Sequence, residues 1–144
     1  MRRLFLLLVA LVALAGCREV RVNQVRSGTT SVTGPTQVLV LRDKKAMEAL
    51  GLPSVADFRH EFVVVLLMGP HRESGYVQLI ESIRANADRV QIVAFERAPL
   101  DGGEPTAPYR TYTMWLVPNI AYRSGSNVDV VTPSGESIVT TTLH

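Results

Sequence analysis

Apart from Cys17 the 144-residue sequence has no cysteine. An exported form of the chain therefore holds no internal disulfide and rests on its core alone. There is also no apolar run long enough to cross a bilayer. The longest, Leu4 to Leu14 in "MRRLFLLLVALVALAGC", has eleven residues, against roughly 20 for a spanning helix. Excess charge is missing as well. Removing Arg2 and Arg3 from 15 basic side chains leaves 13, which matches the 13 acidic ones. The whole-chain pI of 9.0 then says nothing about nucleic acid, and no nucleic-acid partner is expected. Internal repeats and blocks of like charge are absent too.

The motifs that would announce an enzyme are equally scarce. No Gly-x-Ser-x-Gly elbow occurs, and no glycine-rich phosphate loop follows a strand and opens a helix. His60-Glu61 starts like a zincin motif, but position 64 is Val. His60, His71 and His144 have no ligand spacing, and Asp101-Gly-Gly-Glu104 lacks the oxygen-ligand run of an EF-hand. Ser74 and His71 lie three residues apart in "GPHRESGY", which by itself fixes no nucleophile–base geometry. The expectation is no catalytic residue, no metal and no cofactor, with the three histidines on the surface.

What is present begins with a secretory signal: two arginines, the short apolar run, then small residues leading to Cys17. Leu14-Ala15-Gly16-Cys17 resembles the bacterial lipobox, whose cysteine receives a diacylglycerol and becomes the N-terminus after cleavage. Several acyl chains anchor a protein stably where one does not. The membrane, reached through this lipid, is the first expected partner. Arg18, rather than Asp, follows the cysteine, so the resemblance gives no inner-membrane retention signal and points to the outer membrane of a two-membrane envelope. The organisation read from the sequence is a signal peptide over 1–16, a lipidated Cys17 with a tether or edge strand to 35, and one β-rich domain over 36–144.

Residues 18–36 are rich in Ser, Thr and Gly and as a coil would span about 25 Å, whereas the alternation of Val20 and Val22 favours a short edge strand. In the domain, Asp43 is placed to cap a short helix stopped by Gly51. "EFVVVLLM" has the continuous apolar pattern of a strand buried on both faces or closed into a barrel. "RVQIVAFE" sets Val90, Ile92 and Ala94 against Gln91, Val93 and Phe95, and the tail "VDVV", "TPSGES", "IVTTTL" spells a hairpin. Between them, "SGYVQLIESIRANADR" supports two readings: a helix with Tyr76, Leu79, Ile80, Ile83 and Ala87 on one face, or a hairpin from Tyr76 to Glu96 turning at "ANAD".

In "YRTYTMWLVP", alternation puts Tyr109, Thr111, Thr113 and Trp115 on one face and Arg110, Tyr112 and Met114 on the other. One face packs a core, and the other is a candidate for display. Arg, Tyr, Trp and Met are the types enriched at protein interfaces. The partner-binding candidates are therefore Arg72, Tyr76, Tyr109, Arg110, Tyr112 and Trp115, with Gly69 and Gly75 as structural turn residues.

Taken in order, the helix, "LPSVADFRHEFVVVLLMG", "SGYVQLIES", "RVQIVAFERAP" and "APYRTYTMWLVP" resemble the PrcB family of protease-complex subunits over residues 36–120. The positions that carry the resemblance are Pro53, Asp57, Phe58, Gly69, Gly75, Tyr76, Pro99, Pro108 and Pro118. Where the family reads Thr-Gly-Gly-Tyr, this chain reads Glu73-Ser74-Gly75-Tyr76, which leaves Gly75 to supply any positive φ. The resemblance implies a non-catalytic accessory subunit of an exported protease, with His71, Arg72 and Glu73 as solvent-facing loop residues. The alternatives are an inhibitor or small-ligand binder acting through loops 69–76 and 100–108, and a hydrolase using Ser74 and His71. The expected fold is α+β: a mainly antiparallel meander or partly closed barrel of about seven strands, with one helix near the N-terminal side.

Overall fold

A computed structural model of the chain describes residues 19–86 and 88–144. The signal peptide, Cys17 and Arg18 lie outside the described residues, as does Ala87. Among the described residues eight strands follow in chain order: β1 Asn23–Thr30, β2 Gln37–Leu41, β3 Glu61–Glu73, β4 Val77–Ala85, β5 Arg89–Arg97, β6 Pro105–Pro118, β7 Asn127–Val131 and β8 Ser137–Thr142. One six-residue helix, α1 Lys44–Ala49, joins β2 to β3.

The strands form two four-stranded sheets, ordered β1-β6-β3-β2 and β4-β5-β7-β8. This corrects the expectation of a single meander or barrel. The chain leaves the second sheet after β5, adds β6 to the first and returns as β7, and so β5 and β7 pair in parallel while every other pair is antiparallel.

The apolar run of β3 shows why two layers are needed. Phe62, Val64, Leu66 and Met68 point to the second sheet and pack with Val90, Ile92, Ala94, Val128 and Val130. Val63, Val65 and Leu67 point the other way, under Met47 of α1, Leu41 and Leu52. With both faces covered, the strand has no polar position to alternate with until Gly69. The second sheet keeps one face open, and β5 alternates as expected, with Val90, Ile92 and Ala94 buried and Phe95 exposed.

Local signals place the remaining elements. Asp43 caps α1 by accepting from the Ala46 N–H at 2.8 Å, and Gly51 ends it at φ +66°. Residues 77–97 form the β4–β5 hairpin rather than a helix, because Leu79, Ile80 and Ile83 gain cross-strand partners Phe95, Ala94 and Ile92. The N-terminal segment is an edge strand, but it starts at Asn23. Val20 makes an isolated bridge to Ala85, the end of β4, with its N–H 2.7 Å from the Ala85 carbonyl. The segment thus ties one sheet to the other, since three residues later Asn23 pairs with Leu116 of β6.

Asp57 organises the turn that leads into β3. Its carboxylate accepts from Arg59 Nε and Nη2 at 3.0 Å each and from the Arg59 main-chain N–H, and it lies 3.1 Å from His60 Nδ1. These bonds, Arg59's first, hold the carboxyl well below the usual carboxylate range. A group with a depressed folded pKa stabilises fully above its unfolded pKa of about 3.9 and loses that contribution as pH falls toward the folded value. Asp57→Asn should therefore lower the denaturation midpoint by a constant amount from pH 8 down to about pH 5, with the two proteins converging in stronger acid. Midpoints measured across that range would check this.

Candidate functional site

The fourteen-residue β6 is the floor of the candidate site, and its alternation decides which side chains are available. On the face toward the second sheet it presents Tyr109, Thr111, Thr113 and Trp115. Near the Trp115 end this face lies under β5 and β7. Toward its N-terminal end it passes beyond that cover, between β1 and β4. Both β1 and β4 are outer strands of their sheets, so two strand edges border one groove.

Two adjoining cavities occupy the groove. The larger, about 410 Å³, is bordered by Thr29, Thr30 and Ser31, by Ser74, Gly75 and Tyr76, and by Thr106 to Tyr109. The smaller, about 260 Å³, continues along β1 past Ser27 and Gly28 and reaches Gln78, Thr111 and Tyr112. Thr29 and Tyr76 border both. No charged side chain lines either cavity. Hydroxyls and aromatic rings dominate, a surface that satisfies neutral hydrogen-bonding groups and offers an ion no counter-charge.

Beneath Tyr76 lies a polar cluster. His71 Nε2 is 2.9 Å from Glu96 Oε1, which also accepts from Thr111 Oγ1 at 2.6 Å. Gln78 Nε2 donates to Thr111 Oγ1 and to the Leu66 carbonyl, while Gln78 Oε1 is buried with no partner among the described residues. The His71 and Glu96 side chains are only 12% and 15% exposed, and the Tyr76 ring stacks on His71 with centroids 3.8 Å apart. The cluster thus fixes the ring that separates the two cavities. Ser74 is engaged elsewhere: its hydroxyl accepts from the Glu104 N–H and its N–H donates to the Glu104 carbonyl. Gly103 permits this approach, for a Cβ there would fall 1.9 Å from the Ser74 carbonyl oxygen.

Several expected positions move. "GPHRE" is the end of β3, distorted between Met68 and His71, and the connection to β4 is only Ser74 to Tyr76. Gly69, at φ +140°, belongs to that distortion, while Gly75, at φ +98°, is the turn residue. His71 is not a surface loop residue, because the Tyr76 ring and Glu96 cover it. Of the partner-binding candidates, Tyr76 and Tyr109 border the groove, half-buried, and Arg72 is exposed. Tyr112 is almost wholly buried and only edges the smaller cavity, while Arg110 and Trp115 are buried outright. Neither face of β6 is displayed between 110 and 115, since α1 and the 50–58 segment cover one and the second sheet the other.

Thr29, Gln78, Glu96 and Thr111 were not among the expected site residues, whereas Thr106 lies in the 100–108 loop of the inhibitor or small-ligand alternative. The β4–β5 hairpin pairs Val77 with Arg97 and so Gln78 with Glu96, a register that a hairpin closing Tyr76 on Glu96 does not give. Among the described residues no three His, Asp, Glu or Cys side chains converge as a metal site would require.

Comparison with known proteins bears on the N-terminus. The family model for a prokaryotic membrane lipoprotein lipid attachment site matches residues 1–17. No curated protein and no solved structure matches the chain, and no match to the PrcB family was found. The chain is a bacterial lipoprotein, held to an envelope membrane by its lipid.

Proposed function

We propose that this lipoprotein, acylated at Cys17, is a non-catalytic accessory protein that binds an extended segment of an exported protein in the groove between β1 and β4. The observation that carries the reading is that two outer strand edges border one groove lined by neutral hydroxyls and tyrosines. An extended polypeptide adds to such an edge through main-chain hydrogen bonds, and shallow pockets select its alternate side chains. From Ser27 to Ser31 the groove runs about 13 Å along β1, enough for roughly five residues. The uncharged lining suits a peptide backbone better than a phosphate or a carboxylate. Ser74 and His71 each have a structural partner, which favours recognition over hydrolysis.

For the partner we carry forward the class implied by the PrcB resemblance, an exported protease that this protein stabilises. For its place we carry forward the outer membrane, on the strength of Arg18 after Cys17. A photo-crosslinking residue at Thr29 or Thr106, both exposed on the groove, should capture an exported protease in intact envelopes, and the same residue at the remote, exposed Ile120 should not. Thr29→Trp should fill the junction of the cavities and lower the captured amount about tenfold or more, with little change in thermal midpoint. Capture that is indifferent to Thr29→Trp, or equal from Ile120, would refute the groove. Saturable binding of small neutral ligands without any protein partner would favour the small-ligand alternative.

A further inference from the structure

The short link between the lipid and the fold orients the domain on its membrane. Val20 is hydrogen-bonded to Ala85, and only two residues separate it from Cys17. Consecutive Cα atoms are at most about 3.8 Å apart, so Val20 lies within roughly 11 Å of the acylated residue. The acyl chains on Cys17 begin at the boundary of the hydrocarbon core, and the headgroup layer above it is itself only about 5–8 Å deep. The C-terminal end of β4 is therefore held at the headgroups.

Register tells what else lies at that end. Arg89 opposite Asn127, Asn127 opposite Thr142, and Glu61 opposite Pro118 bring together the β4–β5 turn, the start of β7, and the turn at Asn119–Ala121 that follows β6. Arg123 reaches across to Asp88 at 3.4 Å and Arg84 to Glu19 at 4.0 Å. At the tip of the Asn119–Ala121 turn, Ile120 is 81% exposed. The arginines of this end, Arg84, Arg89 and Arg123, are paired with Glu19, Asp129 and Asp88, so the end offers a large aliphatic side chain among balanced charges, which a headgroup layer accommodates. At the opposite end stand Tyr76, the β5–β6 connection and Leu100, 91% exposed, roughly 25 Å away along β4.

We propose that the acylated protein stands on the bilayer that holds its lipid, with the Asn119–Ala121 turn and the β4–β5 turn against the headgroups and the β1–β4 groove facing away. This rests on acylation of Cys17 and is independent of what the groove binds. The test uses full-length acylated protein, its N-terminal lipid verified by mass, in vesicles of phosphatidylethanolamine and phosphatidylglycerol carrying a headgroup-nitroxide lipid. With Cys17 blocked by its lipid, Ile120→Cys and Leu100→Cys each give one reactive thiol for an environment-sensitive fluorophore. Quenching at 120 should exceed that at 100 severalfold, and a 20-residue Gly/Ser insertion between Arg18 and Glu19 should abolish most of the difference. Equal quenching at the two positions, or stronger quenching at 100, overturns the orientation. A difference that survives the insertion overturns the short link as its cause.

Discussion

Replacing Trp115 by alanine should destabilise the protein by about 3–5 kcal/mol, the range for truncating a large buried aromatic. Trp115 is fully buried between the sheets, opposite Val64 on β3 and packed with Phe62, Val117 and the second sheet's Val and Ile residues. Domains of this size have total stabilities of about 5–15 kcal/mol, so the variant stands near the threshold for folding. Trp115→Phe should cost much less, about 1–2 kcal/mol. The indole Nε1 has no hydrogen-bond partner among the described residues, so its removal orphans nothing there, and a buried N–H without an acceptor is itself unfavourable. Urea denaturation followed by circular dichroism separates the two, since the only tryptophan is the residue being changed. Equal losses for both would mean that Nε1 is satisfied and matters. Binding lost in Trp115→Ala would report on folding, not on a displayed aromatic face.

That face illustrates where the sequence could be read and where it could not. Alternation along β6 correctly separated Thr111, Thr113 and Trp115 from Arg110, Tyr112 and Met114. Alternation says which side chains share a face, however, and not whether a second layer covers it. The second cover on this strand comes from residues 44–58, joined to it only through β2 and β3, and no local pattern in "YRTYTMWLVP" encodes that. The same limit applies to the whole architecture. The helix cap at Asp43, the doubly buried β3, the β5 alternation and the closing hairpin were all legible because each is set by residues within a few positions. The division into two sheets was not, because it depends on β6 leaving its sequence neighbours to join β1 and β3.

The groove was legible only in part, through the loops 69–76 and 100–108, for a related reason. Its members come from three separate segments, 27–31, 74–78 and 106–112, and Ser and Thr on an edge strand read the same whether they face solvent or a cavity. His71 shows the effect at a single residue: in "GPHRESGY" it has the surroundings of a polar loop, yet Glu96, 25 positions on, and the Tyr76 ring remove it from solvent. Of the expected partner-binding and turn residues, Tyr76, Gly75, Tyr109 and the edge of Tyr112 border the groove, and the loops 69–76 and 100–108 of the ligand-binding alternative contribute Ser74 and residues 106–108.

Arg110→Ala should be the second large loss, about 2–4 kcal/mol, and it should act on the groove wall as well as on the core. The Arg110 side chain is buried and its guanidinium is solvated by main chain, with Nε donating to the Val32 carbonyl at 2.9 Å and Nη1 to the Pro35 carbonyl at 3.1 Å. No carboxylate lies within ion-pair distance among the described residues, and desolvation lowers its pKa, though an arginine stays charged regardless. Two glycines make the room: a Cβ at Gly34 would sit 2.9 Å from Nη1, and one at Gly69 would sit 3.0 Å from Cγ. The side chain therefore acts as a pin that fixes residues 31–36, whose first member, Ser31, borders the larger cavity. Truncation leaves two carbonyls and a void, offset in part by release of a buried cation. Arg110→Lys keeps the charge but not the fork that spans both carbonyls, and should lose about half as much. The pin also predicts a coupling: Gly34→Ala should cost less stability beside Arg110→Ala, where the atom it strikes is gone, than in the native background, while the strain of an alanine at φ +157° is common to both. A cycle of the four proteins in denaturant, with hydrogen exchange read at residues 31–36, measures both the energy and its location. Additive losses would mean that Arg110 and the 31–36 segment are held independently, and the groove wall would then owe its position to Thr30 and Thr36, whose hydroxyls bond the Leu50 and Gly69 carbonyls.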